Sequence, residues 1–131
     1  MSTISERARA TIVPTPLPID RTNRDHLREV WRLAALAWSN AEDNASRLEE
    51  GRKLILADAI LSMKESADKM SDAQADRLAR TTDQFRSYLR KMHDARRAAN
   101  DLKIEAENAN RIYWENVTVE ANERVERRMS R

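Results

Sequence analysis

Apolar residues return at alternating gaps of four and three along the first half of the chain: Leu27, Trp31, Ala34, Trp38, Ala41, Ala45, Leu48, Ile55 and Ala59, with only Arg52 breaking the series. A repeat that averages 3.5 residues is a heptad seam, the pattern of a helix that meets another helix along a narrow stripe. It predicts one long helix from about Thr22 to Ser66, ~65 Å long at 1.5 Å per residue. Thr22 is the expected cap, with Asp25 three residues on. A second stripe reads Phe85, Tyr88, Met92, Ala95, Ala99, Leu102, Ala106, Ala109 and Tyr113, and predicts a second long helix from about Thr82 to Arg128. Beyond Tyr113 the gaps become four, through Val117, Ala121 and Val125, which is a local change of phase. Between the two, Ser71 with Gln74 and Thr81 with Gln84 have capping-box spacing. They bracket a short helix over Ala73 to Arg80, with Leu78 expected to face inward.

Two long helices of similar length joined by a short connector fold back antiparallel. A register that sets Ile55 against Met92, Ala59 against Tyr88, Leu48 against Ala99, Ala45 against Leu102, Trp38 against Ala109 and Ala34 against Tyr113 places large residues opposite small ones. It brings Arg97 toward Glu50 and Arg90 toward Asp58 as flanking ion pairs. Arg52 then lies opposite Ala95 with room to reach solvent along its stem. Gly51 sits inside the first helix as a bend, a close approach or a tolerated residue. The expected fold is all-α: an elongated, coiled-coil-like antiparallel hairpin over 22–131 with a short connecting helix. Residues 1–21 are set apart by Pro14, Pro16 and Pro18, which exclude helix and favour an extended arm.

Composition supports this reading. One Gly and three Pro in 131 residues leave too few turn formers for a β-rich fold. Six aromatics are too few for a large globular core, so the core is thin and shared between few helices. The seam leaves apolar residues over. Residues 54–63 are apolar nearly all round, and the short helix is expected to cover them. Val30, Leu33, Leu36, Ile112, Trp114 and Val119 lie off the stripes, and Leu17 and Ile19 of the arm are apolar as well. These eight form the candidate protein interface, to be covered by the arm, a second copy or a partner. An Ala-rich two-helix hairpin buries little area alone, so a homo-oligomer is expected, a dimer first.

Charge excludes some chemistry and suggests other. The balance of 24 basic and 22 acidic residues gives a net +2, less lopsided than a whole-molecule polyanion binder. Local clustering matters more. Arg86, Arg90, His93 and Arg97 are spaced four, three and four apart on one helix face, flanked by Lys91, Arg96 and Lys103. That face is the candidate nucleic-acid or polyanion site; its alternative is an ordinary solvated face with interhelical ion pairs. The chain has no Cys, hence no thiol nucleophile and no Cys-based zinc site. His26 and His93 are far apart, with no second ligand at metal spacing, and read as surface residues. There is no Gly-rich phosphate loop and no serine elbow, and the Glu-x-x-His pattern of di-iron bundles is missing. The expectation is a non-enzyme without cofactor, metal or small-molecule substrate. No window approaches the ~20 apolar residues of a membrane span and no signal-peptide core is present, so a soluble cytoplasmic protein with no membrane partner is expected. The sequons at Asn44 and Asn116 are then chance matches.

Leu48-Glu49-Glu50 with Lys53, the run Met92-His93-Asp94-Ala95-Arg96-Arg97-Ala98-Ala99-Asn100-Asp101-Leu102-Lys103, Trp114 and the end Glu126-Arg127-Arg128-Met129 resemble small uncharacterised helical proteins of phages and prophages. The resemblance covers about 30–129 and not the arm. It implies a phage or bacterial origin, a bacterial host cytoplasm and a helper role without an active site. Taken with the residues, it favours a helical accessory factor that binds a host or phage protein. The alternatives are a nucleic-acid-binding recombination or replication helper using the basic face 86–103, and a structural virion component.

Overall fold

The computed structural model describes residues 19–67 and 69–130. All regular structure among them is helical: α1 over Arg24–Ser66, α2 over Asp72–Arg80 and α3 over Asp83–Met129. The two long helices pack against each other, and α2 packs mainly against α1. The fold is the antiparallel all-α hairpin that the two stripes require. The proline-containing arm, Leu17 included, lies outside the described residues; Ile19 at its root is exposed.

Local chemistry sets the helix ends. Asn23, not Thr22, caps α1, its side chain accepting from the His26 N–H at 3.1 Å. Thr22 is already committed one turn earlier, where its N–H and hydroxyl donate to Asp20 Oδ1 at 2.9 and 2.6 Å. Ser71 caps α2 as its spacing to Gln74 predicts, accepting from the Gln74 N–H at 3.2 Å. Thr82 rather than Thr81 caps α3, accepting from the Phe85 N–H at 3.3 Å. The Thr81 hydroxyl closes α2 instead, donating to the Leu78 carbonyl at 2.8 Å. A short helix laid flat on its neighbour needs small contact residues. Ala75 and Ala79 are therefore the buried positions of α2, and Leu78, expected to face inward, is exposed. An ion pair between Lys64 and Asp72 ties the start of α2 to the end of α1.

The stripes are buried as read. Leu27, Ala45, Phe85, Met92, Ala99, Ala106 and Ala109 are buried, and the remaining seam positions from Trp31 to Ala59 are half-buried, save exposed Arg52. The pairing between stripes differs from expectation by about one heptad. Tyr88, expected against Ala59, donates its hydroxyl hydrogen to the Leu48 carbonyl at 2.5 Å. Tyr113, expected against Ala34, packs on Trp31 with ring centroids 5.4 Å apart, and the Arg28 guanidinium lies 5.9 Å from the centre of the Tyr113 ring. Lys103 lies over the Trp38 ring at 6.0 Å. A shift of seven residues maps each stripe onto itself, so large-against-small matching alone does not select between the two alignments.

Two features distinguish the observed register. Gly51 lies under Tyr88: a Cβ built on it falls 2.6 Å from the tyrosine oxygen. Gly51 is therefore a point of close approach, with an ordinary negative φ. At the open end, Asn116 is buried at a seam position three residues after Tyr113. Its Nδ2 donates to the Arg21 carbonyl at 2.9 Å, and its Oδ1 accepts from Arg24 Nε at 3.3 Å. Arg24 also pairs with Glu120. The slide leaves overhangs at both ends. The last turns of α1 run past the start of α3, and α2 folds back onto them. The last turns of α3 run past the start of α1, and residues 121–129 are exposed throughout.

Candidate interaction surfaces

Helix α1 presents its outer face away from α3. Leu33 and Leu36 are exposed there as the off-stripe positions predict. Leu54 and Leu61 join them, at 70% and 57% exposure. Leu33, Leu54 and Leu61 are spaced by multiples of seven and so lie on one line of the helix. Leu36 is one turn from Leu33. Asn40, Asp43, Arg47 and Glu50 occupy the exposed stretch between the two apolar ends. The sequence reading assigned Leu54 and Leu61 to the zone that α2 covers. Helix α2 has only nine residues and covers one side of the α1 overhang, where Ile60 and Met63 are half-buried. The signal that identifies the exposed pair is the heptad relation to Leu33.

At the open end of the hairpin the candidate interface residues divide. Trp114 and Val119 are exposed, Val30 is half-buried and Ile112 is 4% exposed. Ile112 is covered within the chain itself, a correction to its place among the off-stripe residues offered to a partner. The stripe turns with the helix, so near residue 112 the inward side has moved from Tyr113 toward Ile112 and Asn116. Trp114 sits edge-on to Tyr113, centroids 5.3 Å apart. A cleft of ≈ 450 Å³ lies where Arg21 and Thr22 meet α3, between Ile112, Asn116, Val119 and Glu123. Glu115 and Glu120 rim it.

The basic positions also divide. Arg86, Arg90, Lys91, His93 and Arg97 are all exposed on α3. Neither expected ion pair forms, Arg97 with Glu50 or Arg90 with Asp58. The carboxylates of α1 meet Arg96 instead, which donates to Glu49 through Nε and Nη2 at 2.7 and 3.0 Å and to Glu42 through Nη1 at 2.6 Å. The sequence reading gave Arg96 only a flanking place. Its hydrogen bonds lower the Glu49 pKa from the ordinary carboxylate range, with a smaller contribution from the nearby His93 charge. The Arg96 guanidinium is held still more firmly protonated, first by Glu49 and then by Glu42. Among the described residues Arg86, Arg90, Lys91 and Arg97 make no ion pair; Arg90 reaches only the Ser87 hydroxyl, at 3.5 Å.

His26 is half-buried rather than at the surface, and its Nε2 has no hydrogen-bond partner among the described residues. Among those residues no three His, Asp or Glu side chains come together as a metal site, and no helix is long and apolar enough to cross a membrane. Comparison with protein families finds no matching model, and comparison with curated proteins and with solved structures finds no match either.

Proposed function

We propose that this chain is a non-enzymatic helical interaction protein. It acts as a homo-oligomer, a dimer first, through the outer face of α1, and from there serves a protein partner as an accessory factor. One observation carries the reading: the seam against α3 is satisfied within the chain, yet α1 keeps a second line of Leu33, Leu54 and Leu61, with Leu36 beside it, facing solvent. Burying a leucine stabilises by about 1.5–3 kcal/mol, so four on a rigid helix are a substantial incentive for helix-to-helix docking. Their heptad spacing matches a second helix laid along the first.

Light scattering on the purified protein across a concentration series tests this. The expected mass is twice that of the chain. Replacing Leu54 and Leu61 together by lysine should return a monomer with its helical circular dichroism intact, because neither side chain packs in the hairpin seam. A wild-type chain that stays monomeric at high micromolar concentration would overturn the reading.

A further inference from the structure

We propose that one flank of the hairpin, formed by Arg52 and Lys53 of α1 with Arg86 and Arg90 of α3, binds the phosphate backbone of a nucleic acid. The Arg96 clamp identifies this flank. Arg96 bridges to Glu49, and His93 is close enough to Glu49 for its charge to act on that carboxylate. Toward the hairpin tip, Arg52 and Lys53 follow Glu49 by three and four residues, so they share its side of α1. On α3, His93 precedes Arg96 by three residues, Arg90 precedes His93 by three and Arg86 precedes Arg90 by four, so the basic row starts beside the clamp and continues onto the adjoining exposed face. The Tyr88 contact with Leu48 and Gly51 sets the level, bringing Arg52 and Lys53 alongside residues 86–90. Two helices thus bring four full cations and a histidine to one exposed flank.

None of the four cations makes an ion pair among the described residues, and Glu42 and Glu49 are held by Arg96. Asp94 follows Arg90 by four residues and Asp83 precedes Arg86 by three, yet neither carboxylate forms an ion pair with these arginines among the described residues. The arrangement is linear and has no enclosed pocket, which suits a chain of phosphates rather than one small anion. Arg86 and Arg97 are eleven residues apart, ~16 Å along the helix, with Arg90 and His93 between them. Guanidinium forks match phosphate oxygens in pairs. Farther along the same face of α3, exposed Trp114 offers a ring on which an unpaired base can stack. The flank is distinct from the outer leucine line of α1, so this proposal and the oligomer stand or fall separately.

Fluorescence anisotropy with a labelled 20-nucleotide single strand and with the matching duplex, from 50 to 200 mM salt, tests the proposal. Four phosphate contacts give a log–log salt slope of about −2.8 on a single strand, a fall in affinity of about 50-fold over that range. Arg86→Gln with Arg90→Gln should halve that slope. Arg52→Gln with Lys53→Gln should do the same from the other helix. The charge-matched control Arg124→Gln with Arg127→Gln, at the opposite end, should leave binding unchanged. Binding of either strand form with this pattern supports the proposal, and the single-strand to duplex ratio reports the use of Trp114. Absence of binding at 50 mM salt overturns it. So does binding that all three double variants weaken equally, or binding confined to anionic vesicles run in parallel.

Discussion

Gly51 occupies the middle of a 43-residue helix, where Ala would be favoured by roughly 1 kcal/mol on propensity alone. The Tyr88 hydroxyl fills the space a methyl group would need and takes a hydrogen bond partner on the same helix, the Leu48 carbonyl. The two effects oppose each other, and a mutant cycle separates them. Gly51→Ala alone should bring no gain in denaturant midpoint, because displacing the hydroxyl loses about 1 kcal/mol. Tyr88→Phe should be destabilising by a similar amount. In the Tyr88→Phe background the same Gly51→Ala change should stabilise by up to about 1 kcal/mol, since the next ring atom stands 3.8 Å from the added carbon. Additive effects in the cycle would show that glycine and hydroxyl are independent. The Arg96 clamp gives a second expectation at this scale. Hydrogen bonds from Arg96 lower the Glu49 pKa. A lowered carboxylate pKa stabilises the fold fully above the unfolded value, near 4.5, and the contribution disappears as pH falls through the lower folded value. The Tm difference between wild type and Glu49→Gln should therefore be present at pH 7 and close on acidification toward pH 3. A difference that persists in acid would assign the effect to packing.

At the scale of elements, the helices, their lengths and their buried stripes were legible from spacing alone, because a 3.5-residue repeat leaves little choice of structure. Ser71 was legible for a similar reason, a capping side chain at a fixed distance from the first turn. Register was not. The heptad that reveals the seam also hides its alignment, since moving one helix by seven residues keeps every stripe residue in the stripe. The tie-breakers are Gly51 beneath Tyr88 and buried Asn116; the sequence leaves the first open between a bend, a close approach and a tolerated glycine, and presents the second as a chance sequon. Arg96 rather than Arg97 became the clamp because it directly follows the seam residue Ala95 and so lies at the edge of the seam, where Glu42 and Glu49 of α1 also lie. Cysteine pairs test the alignment cleanly because the chain has none of its own. Leu48→Cys with Met92→Cys should close a disulfide on mild oxidation, whereas Ile55→Cys with Met92→Cys should remain reduced. The reverse result would restore the alignment one heptad away.

The whole molecule is a thin hairpin whose two faces differ in chemistry. The outer side of α1 is apolar at both ends, and the flank between the helices near the tip is cationic. These faces were only partly legible in sequence: the leftover leucines at 33 and 36 and the arginines at 86 and 90 were visible, but the cations Arg52 and Lys53 joined them only through the register. Buried Asn116 has a further consequence for how such a chain finds its native state. A seam of repeated alanines gives the folding chain neighbouring minima, each a whole heptad of sliding apart and each with nearly the same apolar burial. Leaving one for another requires the hairpin to unzip. Asn116 bonded to Arg21 and Arg24 at one end, and Tyr88 over Gly51 at the other, are satisfied together in one alignment only. They act as a pair of detents on a sliding ladder, and their worth lies less in the stability they add than in the energy gap they open between the native alignment and its shifted copies.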